Sequence, residues 1–188
     1  MSQFILRYAN APLLILMVLL GVGIQTSFFS FYPLNYLQPD IILLIVIWMS
    51  FKRPFIEGGI LTLIFSEIAE VHTSGIRGIF FITYMSIYLL IKLFNKMLIF
   101  QSYQSLIGLT LFVSLFWKLE SLLLIYFLNY GANQWQHTLA LLLPGALMEG
   151  ALGIWVYRWL EKLDWITFKD PRARDALNED TILTEEGF

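Results

Sequence analysis

The sequence predicts an all-α, polytopic membrane protein with six transmembrane helices and both termini in the cytoplasm. Three observations lead to this fold class. Of the 188 residues, 58% are hydrophobic and only 14% are charged, whereas soluble domains usually carry about 25% charged residues. The mean hydropathy is +0.70. Apolar runs that approach the roughly 20 residues needed to span a bilayer recur along most of the chain.

Six apolar runs define the six predicted helices. They cover residues 12–29, 39–51, 55–71, 78–94, 105–128 and 138–160. The second run is short, and it reaches spanning length only if its helix begins near Tyr36 or if the turn FKRPF lies in the membrane interface. The runs belong to a predicted transmembrane domain, residues 1–165. Residues 166–188 are rich in mixed charge and poor in apolar side chains, so we expect a mobile cytoplasmic tail.

The positions of the basic residues predict the orientation, because cytoplasmic loops of membrane proteins hold an excess of Lys and Arg. If the chain crosses the membrane with six helices, all but two of its Lys and Arg residues fall on the same side of the membrane. That side holds Arg7, Lys52, Arg53, Lys92, Lys96, Arg158, Lys162, Lys169, Arg172 and Arg174. Arg77 falls on the opposite side and Lys118 falls within the membrane. Both termini are therefore predicted to be cytoplasmic.

Several classes of function are excluded or disfavoured by residue content and spacing. The chain has no Cys, which removes disulfides and thiolate metal sites. Glu67, Glu70 and His72 lie close in sequence, but their spacing is not that of a zinc motif such as H-E-x-x-H. No nucleophile shares a depth with a base, and no basic patch with interleaved aromatics indicates nucleic acid. We therefore predict a protein that is not an enzyme, has no cofactor and does not bind nucleic acid.

Lys118, Glu120 and Glu149 form a predicted set of charges inside the membrane, where each charge needs a partner or a purpose. Lys118 and Glu149 lie near the middles of consecutive helices, at similar depth. We expect Lys118 to pair with Glu149, or else with Glu67. Glu120 is two residues from Lys118 and points elsewhere, so it needs its own donor, a partner protein or a water-filled cavity. Such charges either fix the helix arrangement or mark a transport path.

Small residues recur every fourth position on two predicted helices, which allows another helix to approach closely. One such face lies on the third helix and the other on the sixth, next to Glu149. Each face either packs against neighbouring helices of the same chain or forms a groove for a partner helix. The candidate packing residues are Gly58, Thr62, Ser66, Gly145, Gly150 and Gly153.

The stretch LQPDIILLIVIW, followed by GGILTLIFSEIAEVHTSGIRG, resembles the MreD family of bacterial rod-shape-determining membrane proteins. The matching positions are Pro39, Asp40, Gly59, Gly75 and Arg77. Glu67 stands where the family usually has Asp, and Val71 stands where a Gly is common. The segment LMEGALGIWVYRWLEKL is similar to the closing helix of that family, with Glu149 where an Asn is often found.

The resemblance implies a non-enzymatic scaffold subunit of the cell-elongation complex in the bacterial cytoplasmic (inner) membrane, supporting peptidoglycan synthesis and rod shape. It implies an MreC-like bitopic partner, with MreB, RodA and a class B penicillin-binding protein in the wider complex, and contact with membrane lipids. It also implies a fold similar to the substrate-binding subunits of energy-coupling-factor transporters. The alternative is therefore a vitamin-binding transporter subunit, whose outward cavity is expected to be lined by Glu67, Arg77 and outer aromatic side chains.

Overall fold

The computed structural model of the protein describes residues 2–29, 31–32, 34–73, 77–95, 103–128 and 134–172. Within these residues the chain is all-helical and contains no β-strand. The α-helices are α1 (Ser2–Phe28), α2 (Ile41–Lys52), α3 (Phe55–Val71), α4 (Ile79–Phe94), α5 (Tyr103–Phe127) and α6 (Gln134–Ile166), and a short 3₁₀ helix covers Leu34–Leu37.

Two helices among the described residues are long and apolar enough to cross a membrane. These are Leu6–Phe28 of α1 and Ser105–Phe127 of α5, each 23 residues long, with mean hydropathies of 2.0 and 1.7. In the most apolar window of each segment only 17% and 22% of the residues are buried inside the bundle, so most of these residues are at least partly exposed. The helices α2 and α4 are apolar but shorter.

One of the two ways in which the second helix could reach spanning length required it to begin near Tyr36. The helix starts later than that. It begins at Ile41, not near Tyr36, because Leu34–Leu37 form the separate 3₁₀ helix and Asp40 caps α2. At about 1.5 Å per residue, the 12 residues of α2 extend about 18 Å. This is less than the roughly 30 Å hydrocarbon core of a bilayer.

Helix α2 lies at the centre of the bundle. Residues 42–50 are all buried, and every other α-helix contacts it. Side chains satisfy both of its ends. Asp40 accepts a hydrogen bond from the Leu43 N–H at 2.9 Å, and Lys92 Nζ of α4 donates to the carbonyls of Ser50 at 2.9 Å and Arg53 at 2.5 Å. A helix that is apolar all round is stable in this enclosed position.

Glu70 and Gly78 set the connection between α3 and α4. Gly78 has a φ of 95°, in the left-handed region that glycine occupies without a steric penalty. The Glu70 carboxylate accepts backbone N–H groups from Gly78 at 2.8 Å and Phe80 at 3.0 Å. A carboxylate is favourable there because the first turn of a helix presents unpaired N–H groups and a partial positive charge.

The helical body continues beyond the predicted domain boundary at residue 165. Thr167 is buried, and Lys169 Nζ lies 2.8 Å from the Glu57 carboxylate of α3. The prediction of a mobile tail from residue 166 is therefore wrong for residues 166–172, because these contacts attach them to the body. Residues 173–188 lie outside the described residues.

Candidate functional site

A buried polar cluster joins α2, α4, α5 and α6. We call it the Lys118 cluster, and it consists of Asp40, Tyr84, Ser114, Lys118 and Glu149. None of these residues is more than 7% exposed. Ser114 and Lys118 come from the same face of α5 because they are four residues apart. Four separate segments of the chain therefore meet at one buried polar cluster.

Glu149 is the centre of this cluster. Its Oε1 atom lies 3.1 Å from Lys118 Nζ, so the ion pair predicted from the sequence is formed. The same carboxylate accepts hydrogen bonds from the Asp40 backbone N–H at 3.2 Å and from the Ser114 hydroxyl. The Tyr84 hydroxyl donates to Asp40 Oδ2 at 2.5 Å. A buried charge pair is tolerated when its remaining lone pairs are satisfied in this way.

The two other predicted carboxylates do not join the Lys118 cluster. Glu67 is exposed on α3, so the alternative pairing of Lys118 with Glu67 is wrong. Glu120 accepts a hydrogen bond from the Ser86 hydroxyl of α4 at 2.6 Å through Oε1. Its Oε2 atom is buried without a hydrogen-bond partner. The sequence predicted correctly that Glu120 points away from Lys118.

A cavity of about 370 Å³ opens beside the Lys118 cluster, and its volume is in the range of small-molecule sites. Its aromatic wall includes Tyr84 and Trp117, whose rings are stacked with centroids 6.0 Å apart. Gln25, Gln38, His72, Asp40, Lys118 and Glu149 contribute polar groups. The predicted lining by Glu67 and Arg77 is wrong, because neither residue borders this cavity.

The residues that carry the MreD resemblance occupy different environments. Pro39 and Asp40 are buried at the head of α2, and Gly59 is buried in α3. Glu67 and Arg77 are exposed, and Gly75 lies outside the described residues. Among the buried members of the motif, Asp40 has an architectural role, because it caps α2 and accepts a hydrogen bond from the Tyr84 hydroxyl.

The small-residue faces pack inside the chain, so their prediction as grooves for a partner helix is wrong. A Cβ on Gly58 would lie 2.6 Å from the Tyr88 hydroxyl, one on Gly145 would lie 2.5 Å from Lys118 Nζ, and one on Gly150 would lie 3.0 Å from Leu111. Gly153 faces Thr110 of α5 in the same way. The alternative that the sequence also allowed, close packing within the bundle, explains these residues.

The two hydroxyl residues on the α3 face are satisfied by their own helix. Thr62 and Ser66 are buried, and their hydroxyls donate to the carbonyls of Gly58 at 2.8 Å and Leu63 at 2.7 Å. These bonds use the hydroxyl protons within α3 itself, and both side chains are enclosed by the bundle. This face of α3 is therefore filled by contacts within the chain.

A second buried cluster, which the sequence did not predict, joins α1, α6 and the α2–α3 turn. We call it the Arg53 cluster, and it consists of Asn10, Arg53, Asp164 and Thr167. Arg53 Nη2 lies 2.6 Å from Asp164 Oδ1 and 2.7 Å from Asn10 Oδ1. The Asn10 amide donates to Asp164 at 2.9 Å and to Thr167 at 2.6 Å. The sequence signal that could have predicted this cluster is the presence of polar Asn10 and Asp164 among apolar residues.

The surroundings of Arg53 carry further charges. The guanidinium carbon lies 4.9 Å from the centre of the Trp48 ring, a cation–π distance. A cavity of about 340 Å³ borders the cluster, and its rim includes Asp170 and Arg172. The Arg172 side chain hydrogen-bonds to Asp170 and lowers the pKa of that carboxyl below its usual value. Ion pairs join four of the basic residues around this cavity to acidic residues on its border, which makes it a structural clamp; these basic residues are Lys52, Arg53, Lys169 and Arg172.

Comparison of the chain with protein-family models, with curated proteins and with solved structures gave no match.

Proposed function

We propose that this protein is a non-enzymatic scaffold subunit of a bacterial cell-elongation complex, of the MreD kind. It crosses the cytoplasmic membrane six times, has both termini in the cytoplasm and shares the helical architecture of energy-coupling-factor substrate-binding subunits. It holds an MreC-like bitopic partner and supports peptidoglycan synthesis and rod shape, together with MreB, RodA and a class B penicillin-binding protein.

The observation that supports a membrane location best is the apolar outer surface of the bundle. Leu20 of α1, Leu123 of α5 and Trp155 of α6 are 59%, 57% and 68% exposed. Monomers in water rarely expose contiguous apolar patches larger than a few hundred Å², whereas lipid tails solvate such side chains well. The short length of α2 does not oppose a spanning bundle, because the surrounding helices shield it from lipid.

The proposed orientation follows from the ends of the helices. Arg53, Lys92 and Lys169 lie at one end of the bundle, beside the Arg53 cluster. The excess of basic residues at this end favours the cytoplasmic side. The Lys118 cluster and its cavity then belong to the outer half of the protein, near the start of α2 and of α4.

The scaffold role is supported by the way the buried polar groups are used. The Lys118 and Arg53 clusters hold helices together, and the MreD-like Asp40 caps a helix. With these groups engaged inside, many of the side chains that remain exposed to other proteins are large and apolar. Within a bilayer such a surface acts by packing against other helices, which is the function of a scaffold.

The test is co-purification of the tagged full-length protein from its native membranes in mild detergent, with an equally tagged, unrelated polytopic protein as the control. Recovery of an MreC-like bitopic protein in a fixed ratio, from the tagged chain only, is the expected result. If no bitopic protein is recovered and cells depleted of the chain keep their rod shape, the proposed function is wrong.

A second candidate, a substrate-binding subunit of an energy-coupling-factor-type vitamin transporter, is favoured by the 370 Å³ cavity beside the Lys118 cluster. The test is native mass spectrometry of the purified protein. This function predicts a bound small molecule, co-purified ATPase and coupling subunits, and loss of the molecule in Trp117→Leu. The matched control, Trp159→Leu, changes an exposed tryptophan and should retain it. A protein free of small molecules and coupling subunits would contradict this candidate.

A further inference from the structure

Glu120 has incomplete hydrogen bonding at the seam between α4 and α5. Ser86 satisfies its Oε1 atom at 2.6 Å, but Oε2 has no partner. The side chain itself is only partly buried. The terminal torsion of a glutamate is broad, so either oxygen can turn towards the surface. None of the ion pairs among the described residues includes Glu120.

Exposed apolar side chains surround this carboxylate. Phe116 and Leu123 lie four residues before and three residues after Glu120, on the same face of α5. On α4, Ile82 lies four residues before Ser86 and Leu89 lies three residues after it. All four are between 37% and 57% exposed. The seam is therefore a continuous apolar face with one carboxylate at its centre, and we call it the Glu120 face.

Among the residues that the structure describes, no cation forms an ion pair with this carboxylate. Lys118, the nearest basic residue along α5, is engaged with Glu149 on another face of the helix. Glu120 also lies about 10 Å along the helix axis from the end of α5 at Phe127, at 1.5 Å per residue. An ionised carboxylate at such a depth in lipid is costly unless it is paired. A basic group of another molecule would supply the partner that Oε2 lacks.

We infer that the Glu120 face is the docking site for a single transmembrane helix of a partner protein, which places one Lys or Arg side chain against Glu120. The inference rests on the proposed function, because it assigns the partner's docking site. The charge of Glu120 selects a basic partner, and the flanking Phe116, Leu123, Ile82 and Leu89 supply the apolar packing. Ser86 holds the carboxylate in place for this contact.

Other occupants fit this face less well. A second copy of the chain would bring two Glu120 carboxylates together, and Lys118 of that copy is buried in its own cluster. A lipid amine stays in the headgroup region, so a short glutamate side chain about 10 Å from the helix end does not reach it. A basic side chain on a spanning helix is carried to the required depth by the helix itself.

The first test is photo-crosslinking of the full-length protein in native membranes. A photoreactive residue replaces Phe116 or Leu123 on the Glu120 face, or Leu147 on α6 as the matched control, which is 64% exposed. We expect an adduct to one bitopic protein from the first two positions and not from Leu147. Adducts of equal yield at all three positions, adducts only to a second copy of the chain, or adducts only to lipid would each overturn the inference.

The second test changes the charge. Glu120→Gln preserves the shape and the Ser86 contact, and we expect it to lower the crosslink yield about tenfold, the order of one interhelical polar contact in a membrane. The control Glu67→Gln, which changes the exposed carboxylate of α3, should leave the yield unchanged. The crosslinked partner should carry a Lys or Arg at this depth, and exchanging the two charges between the proteins should restore the yield. An unchanged yield in Glu120→Gln, or a partner without a basic residue in its helix, overturns the inference.

The two proposals fail in different ways. If an MreC-like protein co-purifies with the chain but crosslinks outside the Glu120 face, the docking site is wrong and the proposed function stands. If no bitopic protein co-purifies and cells depleted of the chain keep their rod shape, the proposed function itself fails.

Discussion

The Lys118 cluster and the Arg53 cluster solve the same problem in different ways. Each holds one buried cation against one buried carboxylate from α6. The Arg53 guanidinium bonds Asp164 and Asn10 and lies over the Trp48 ring, and its planar fork suits several partners at once. Lys118 is a point charge that meets Glu149 at the wall of a cavity. The Arg53 cluster is therefore a clamp between distant segments, while the Lys118 cluster is adjustable.

The largest expected effect is from Arg53→Met. This change leaves Asp164 without its cation and removes the link between α1, α6 and the α2–α3 turn. Breaking a buried pair by removing one partner costs about 3–5 kcal/mol. Unfolding of the detergent-solubilised protein, followed by tryptophan fluorescence, should show this loss.

The control for this change is Arg53→Lys. Lysine keeps the charge but cannot bond Asp164 and Asn10 with a planar fork, so we expect an intermediate loss. If Arg53→Lys is as stable as the wild type, the geometry of the guanidinium does not matter and the description of this cluster as a clamp is wrong.

The second-largest expected effect is from Lys118→Met. We expect the free energy of unfolding to fall by about 1–3 kcal/mol, because this is the penalty for a buried polar group left unsatisfied. The loss should be smaller than in Arg53→Met because the adjoining cavity can admit water to Glu149. Adding Glu149→Gln to Lys118→Met should recover part of the stability, since the two residues are coupled. A double variant that loses the full sum of the single losses, or a Lys118→Met loss above that of Arg53→Met, would reverse the comparison.

The third expected effect is from Gly145→Ala. The new methyl group would lie 2.5 Å from Lys118 Nζ, so the ammonium must move away from Glu149. The matched control is Gly153→Ala on the same helix, whose methyl group would meet Thr110 at an ordinary 3.4 Å. We expect Gly145→Ala to be about 1 kcal/mol less stable than Gly153→Ala, within the range of overpacking effects. Equal unfolding temperatures for the two variants would show that Lys118 has free space to move.

The smallest expected effect is the difference in stability between two variants of α4, Tyr84→Phe and Tyr88→Phe. Tyr84→Phe removes the hydroxyl that bonds the buried Asp40 carboxylate, and the loss of such a bond is about 1 kcal/mol. Tyr88→Phe removes a hydroxyl that bonds the Phe55 carbonyl at 2.7 Å, and this neutral contact should matter less. Thermal unfolding of both variants tests the order, and a larger loss in Tyr88→Phe would contradict it.

The sequence predicts the helices and one ion pair because both depend on local patterns. Apolar runs indicate the helices, and Lys118 and Glu149 lie near the middles of consecutive runs, which predicts their common depth. The Arg53 cluster depends instead on how α1 and α6 are placed. Asn10 and Asp164 are 154 positions apart, and no periodicity links them.

The small-residue faces show a different limit of prediction. Spacing of four correctly identifies Gly58 and Gly145 as positions of close approach, but spacing does not indicate what approaches them. Tyr88 and Lys118 fill these positions from within the chain, and only the packed structure reveals this. For the same reason the sequence could not exclude them as partner grooves.

The caps of α2 have a consequence for the order in which the protein is made. Asp40 caps the N-terminal end from within the same segment. The C-terminal end depends on later segments, because Lys92 of α4 bonds its carbonyls and Arg53 at this end meets Asp164, which lies 111 positions later in the chain. While the intervening helices are being synthesised, the C-terminal end of α2 lacks both of these partners. The central helix therefore gains the last of its stabilising contacts only after α6 has been made.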